Sequence, residues 1–133
     1  MGLLDKLRRK KEKPKEVIKK DTTVTNLEKI CGDDKESYEA LRDTMFLDPR
    51  KIGTSLVDAA KKAKEFEKQG DTLEAITWYK TAGGLAIYER DLAKVKEYFG
   101  KCAKLLQNED YPILRDPEKA VKKAQEYYQK YLT

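Results

Sequence analysis

The chain has 133 residues, enough for one domain with a modest core, and 29 Lys and Arg against 24 Asp and Glu leave a formal net charge of +5. Charged residues make up 40% of it and only seven Gly and four Pro occur, a helix-forming mixture that argues against extended sheet and predicts an all-α fold. No apolar run approaches the roughly 20 residues that cross a bilayer, and no apolar stretch follows the basic N-terminus as a secretory signal requires, so the expected location is the cytoplasm.

Residues 1–25 read as a basic tail and linker. Gly2 to Leu7 begins a short amphipathic stretch in which Leu3, Leu4 and Leu7 share one helical face. Between Lys6 and Lys20 nine bases (Lys6, Arg8, Arg9, Lys10, Lys11, Lys13, Lys15, Lys19 and Lys20) face two acids, Glu12 and Glu16, so this segment carries +7 and the rest of the chain −2. Attraction to phosphate therefore belongs to the tail. Thr22 to Thr25, β-branched and polar, reads as a linker.

Residues 26–133 read as one domain of four or five antiparallel helices. A turn at Leu27 to Cys31 precedes a helix over Lys35 to Leu47, capped by Asp33 or Asp34, with Tyr38, Leu41 and Met45 on its inner side. Asp48-Pro49 is a good helix start, and a second helix runs from there to about Gln69. Gly53 weakens its first turn, and Thr54 or Ser55 is the alternative cap. Leu56, Ala59 or Ala60, Ala63 and Phe66 keep the helical period, and Gly70 ends it. Asp71 or Thr72 caps a third helix with the stripe Leu73, Ala75, Ile76, Tyr79, Ala82, Gly83 and Ala86, and the short link forces an antiparallel hairpin. Gly83-Gly84 is either a turn or a close approach of a neighbouring helix; the unbroken stripe across it favours the second. Glu89-Arg90-Asp91 is a charged corner and cap. Leu92, Val95, Phe99, Cys102 and Leu105 or Leu106 mark a fourth helix ending near Asn108. Glu109 to Arg115 is the longest loop. Asp116-Pro117 starts a last helix with Ala120, Val121, Ala124, Tyr127 or Tyr128, and Tyr131 inside.

The stretch Phe66 to Ala82, FEKQGDTLEAITWYKTA, resembles the helix-turn-helix centre of a tetratricopeptide repeat, within a window from Leu56 to Glu89. Ala63 and Ala75 are small where paired helices touch, Phe66 and Tyr79 fill the space beside them, Gly70-Asp71 turns the chain, and Ala82 admits the next helix. Ala59 and Lys62 stand where that family has a large aromatic and a leucine, and no proline closes the repeat. A weaker likeness links the spacing to the three-helix domain that interacts with microtubules and membrane-remodelling machinery, and to the hairpin arrays of vesicle-fusion attachment proteins. The resemblance implies a tetratricopeptide-like bundle with a groove or face that holds a peptide or helix of another protein.

Catalytic chemistry is poorly provided for. There is no histidine, the two cysteines Cys31 and Cys102 form no CxxC pair, and Gly83-Gly84 is not followed by the Lys-Ser/Thr of a phosphate-binding loop. The acidic pairs Asp33-Asp34 and Glu109-Asp110 sit at expected helix ends, where capping accounts for them. The chain is thus expected to be a noncatalytic adaptor without metal or cofactor. Its candidate partner-binding residues are Trp78, Tyr88 and Tyr98, aromatic side chains with polar handles. Trp78 adjoins Tyr79, so both cannot point squarely into one stripe. The candidate contacts to an anionic surface are Leu3, Leu4, Lys6, Leu7, Arg8, Arg9, Lys10 and Lys11. Apolar insertion plus cationic attraction suits the surface of an anionic membrane, whereas the same charges could serve a nucleic acid through phosphate contacts alone.

Overall fold

The computed structural model describes residues 25–107 and 109–132. They form six α-helices: α1 (Asn26–Cys31), α2 (Lys35–Arg42), α3 (Leu56–Lys68), α4 (Thr72–Tyr88), α5 (Leu92–Leu105) and α6 (Pro117–Tyr131). Two 3-10 turns, Pro49–Lys51 and Pro112–Leu114, interrupt the links, and no strand occurs among the described residues. The fold is all-α. Of the expected tail and linker only Thr25 is described, and it belongs to the first helix: its hydroxyl accepts from the Glu28 N–H while Glu28 returns a carboxylate to the Thr25 N–H at 2.8 Å.

Each longer helix starts on a side chain that satisfies an otherwise orphaned amide. Asp34, Ser55, Asp71, Asp91 and Asp116 accept from the N–H three residues on, at 3.0–3.3 Å. Two of the expected boundaries differ. The helix predicted over Lys35 to Leu47 stops at Arg42, although Met45 is still buried by the turn that follows. The helix predicted from Asp48 is only a 3-10 turn at its start; Gly53, with φ +77°, breaks the run, and Ser55 caps α3.

The hairpin turns α3–α4 and α4–α5 are built alike, twenty residues apart. In one, Asp71 N–H donates to the Phe66 carbonyl and Gly70 N–H to Glu67; in the other, Asp91 donates to Ala86 and Arg90 to Ile87. Both need a residue in the left-handed region after the helix. Gly70 takes it at φ +81°, Arg90 at φ +58°.

The core centres on α4, whose residues from Ala82 to Ile87 are all buried. A side-chain carbon on Gly83 would stand 2.5 Å from the ring of Phe99 on α5, and one on Gly84 would stand 2.6 Å from Phe46 and 3.0 Å from the Thr44 carbonyl. Of the two readings of the glycine pair, the close approach is the one observed, and α4 continues through it unbroken. The helix α6 packs across α1, α2, α4 and α5. Its polar side chains reach helix ends and the link after α2: Gln125 donates to the Ile87 and Tyr88 carbonyls that end α4, Lys123 to the Ile30 carbonyl of α1, and the Tyr128 hydroxyl to the Phe46 carbonyl of that link at 2.6 Å.

One residue assigned to an inner stripe faces water, and several others are only half-buried. Leu73 is 77% exposed, because it is aligned on α4 with Thr77 and Lys80, which face water. Phe66 is only half-buried at the edge of the core. In the opposite sense, Ile113, in the stretch expected to be a loop, is fully buried.

Candidate functional site

The aromatic residues singled out from the sequence have three different fates. Tyr98 is 3% exposed and stacks on Tyr79, with ring centroids 6.1 Å apart, so its expected role as a partner-binding residue is corrected to a core role. The α5 spacing carried that signal: Val95, Tyr98, Phe99 and Cys102 are all buried at i, i+3, i+4 and i+7. Tyr88 is half-buried, its ring edge-on to Tyr128 at 5.0 Å, so it packs α4 against α6. Trp78 lines an open groove.

That groove follows from how α3 and α4 pair. Ala59, Ala60 and Ala63 on α3 and Ala75 and Ala82 on α4 are buried, and their small side chains let the helices approach closely, with Tyr79 buried beside them. Trp78, one position from Tyr79, is rotated to the margin of this contact. It forms one wall of a groove of about 630 Å³, with Thr81 beside it, the Ile52-Gly53-Thr54 segment at one side, and Asp58, Lys61, Lys62 and Glu65 of α3 opposite. The Lys62 ammonium lies 4.8 Å from the centroid of the Trp78 ring, a cation–π contact.

Behind the groove the scaffold is tied by a network across three helices. The Tyr79 hydroxyl donates to Glu67 Oε1 at 2.6 Å, and Lys101 of α5 reaches the same oxygen at 3.4 Å. Tyr79 is thereby pushed well above the ordinary tyrosine value, by burial first and by Glu67 second, while the Tyr79 hydroxyl holds Glu67 below its ordinary value, with Lys101 adding to it.

A second cleft, of about 350 Å³, lies between α2 and the chain after α5 and is lined by Glu39, Asp43, Glu109 and Asp110, with Lys80 and Tyr111. No group of His, Cys, Asp or Glu with the arrangement of a metal site occurs among the described residues. Asp110 pairs with Arg115, and Asp34 caps α2 while Lys119 approaches it at 3.4 Å. Both cysteines are buried free thiols, and burial pushes Cys102 up to about 11, away from thiolate chemistry at neutral pH.

The candidate surface residues Leu3, Leu4, Lys6, Leu7, Arg8, Arg9, Lys10 and Lys11 lie outside the described residues. No described helix is long and apolar enough to cross a membrane. No family model, curated protein or solved structure matches the chain.

Proposed function

We propose that this chain is a noncatalytic interaction module that holds a segment of another protein in the groove around Trp78. The observation that carries the reading is a half-buried tryptophan on the wall of an open groove in an otherwise closely packed helical scaffold. Tryptophan brings large contact area at a small entropic cost and is the side chain most often found to dominate binding. The resemblance of residues 56–89 to a tetratricopeptide hairpin supports the same reading, since such hairpins present grooves to peptides. The chemistry available supports it too: histidine is absent and both thiols are buried.

The test is affinity capture from native-cell extract on the 133-residue chain and its Trp78→Ala variant, with circular dichroism melts to show that both are folded. A protein partner held by the parent chain and lost with Trp78→Ala supports the reading. Capture unchanged by the substitution sinks it.

A second reading rests on the nine bases and two acids of residues 6–20. That segment would bring the module to an anionic surface, with a membrane as the favoured surface and nucleic acid as the alternative. Sedimentation with phosphatidylserine vesicles that falls as salt rises supports the membrane; binding to duplex DNA but not to vesicles would favour the nucleic acid.

A further inference from the structure

The groove wall has an order of charge that no ion pair among the described residues uses. On α3 the lining residues Asp58, Lys61, Lys62 and Glu65 follow one another at i, i+3, i+4 and i+7, so they form one face reading acid, base pair, acid along about 10 Å of helix. Asp58 with Lys62 and Lys61 with Glu65 are each four residues apart, the spacing at which helical ion pairs close. Neither pair closes: among the described residues none of the four makes an ion pair, and Lys62 lies instead over the Trp78 ring. The wall therefore presents two carboxylates bracketing two ammonium groups, beside an indole.

We infer that the groove takes a helical segment of a partner protein whose facing side reads base, acid, base at the same one-turn spacing, with an aliphatic side chain next to the acid. The inference rests on the proposed binding role of the groove and names its partner's chemistry. The partner's acid meets Lys61 and Lys62, its two bases meet Asp58 and Glu65, and its aliphatic side chain lies on Trp78 in place of the Lys62 ammonium. Laying a helix with an apolar contact and flanking charges into a groove is an established mode of peptide recognition. A segment with the opposite order sets like charges against each other at three places, which supplies the specificity.

Trp78 is the only tryptophan, so its emission reports the groove directly. The probe is a helix-forming peptide on an Ala and Gln background carrying Lys, Glu, Leu and Lys at i, i+3, i+4 and i+7, compared with a peptide of the same length carrying Glu, Lys, Leu and Glu. Titrated into the 133-residue chain, the first peptide is expected to bind about tenfold more tightly than the second, since exposed pairs contribute little singly. That preference should shrink with salt. A chain with all four charges reversed, Asp58→Lys, Lys61→Glu, Lys62→Glu and Glu65→Lys, should reverse the preference while keeping its helical spectrum. Equal affinities, no binding of either peptide, or a preference that the fourfold reversal leaves in place would each overturn the charge-order proposal. Loss of partner capture on Trp78→Ala would still stand in that case, so the two readings fail separately.

Discussion

Alanine at Gly83 and alanine at Gly100 should have opposite effects on stability, although both glycines sit inside helices. Exchanging an internal helical glycine for alanine is worth up to about 1 kcal/mol through backbone entropy alone. At Gly100 on α5 nothing lies within 4 Å of the added carbon, so that gain should appear undiminished. At Gly83 the added carbon meets three carbons of the Phe99 ring at 2.5, 2.7 and 2.9 Å, and Phe99 is fully buried, so its ring cannot swing out into solvent to make room. Overpacking of this kind costs about 1–3 kcal/mol. Subtracting the helical gain leaves Gly83→Ala destabilised by about 0–2 kcal/mol, and the difference between the two alanine variants, in which the helical term cancels, is about 1–3 kcal/mol. Urea unfolding followed by circular dichroism at 222 nm measures both against the parent chain. In thermal melts each kcal/mol corresponds to about 4 °C for a domain of this size. Phe99→Leu in the Gly83→Ala background should recover part of the loss, a coupling expected only of residues in contact. Two alanine variants of equal stability, or additive behaviour of Gly83→Ala with Phe99→Leu, would show that the close approach of α4 and α5 is not a constraint on the fold.

Other expectations follow from individual contacts. Arg90 occupies a left-handed position that Gly70 fills in the matching turn, so Arg90→Gly should raise stability by about 0.5–1 kcal/mol in the same unfolding assay. Tyr79→Ala should cost about 3–5 kcal/mol, because it empties a fully buried site and removes the hydroxyl donor of Glu67, whereas Phe66→Ala should cost distinctly less, being half-buried. Glu67 ionises more easily folded than unfolded, so the stability it supplies is complete above about pH 4.5, where an unfolded glutamate is charged, and is lost as pH falls through its lowered folded value. Urea midpoints taken from about pH 6 to about pH 3 should therefore fall less steeply for Glu67→Gln than for the parent chain.

Much of this molecule is legible in its sequence, and the legible part is local. Asp71, Asp91 and Asp116 cap helices where the sequence predicts caps, Gly70 turns the chain, and Ala59, Ala63, Ala75 and Ala82 are buried at the positions that helical spacing assigns to the core. A cap needs one side chain and an amide three residues away, and a stripe needs only the period of the helix, so neither depends on distant parts of the chain. For the adjacent pair Trp78 and Tyr79 the sequence says only that both cannot point squarely into one stripe; Tyr79 is the buried one and Trp78 lies at the margin.

Tertiary packing decided the rest. Whether an aromatic side chain is covered depends on which helix lies beside it, and Tyr98 is covered because Tyr79 of α4 stacks on it. Ile113 is buried because the 3-10 turn after α5 packs against α2, a contact between segments some seventy residues apart. The groove is likewise a product of assembly, since its wall combines α3 and α4 with the 52–54 segment that Gly53 turns away from α3. Caps, turns and apolar stripes are properties of neighbours in the chain, and the sequence determined them. Burial at an edge, the depth of a groove and the side of α3 left open are properties of neighbours in space, and only the packed helices decided them.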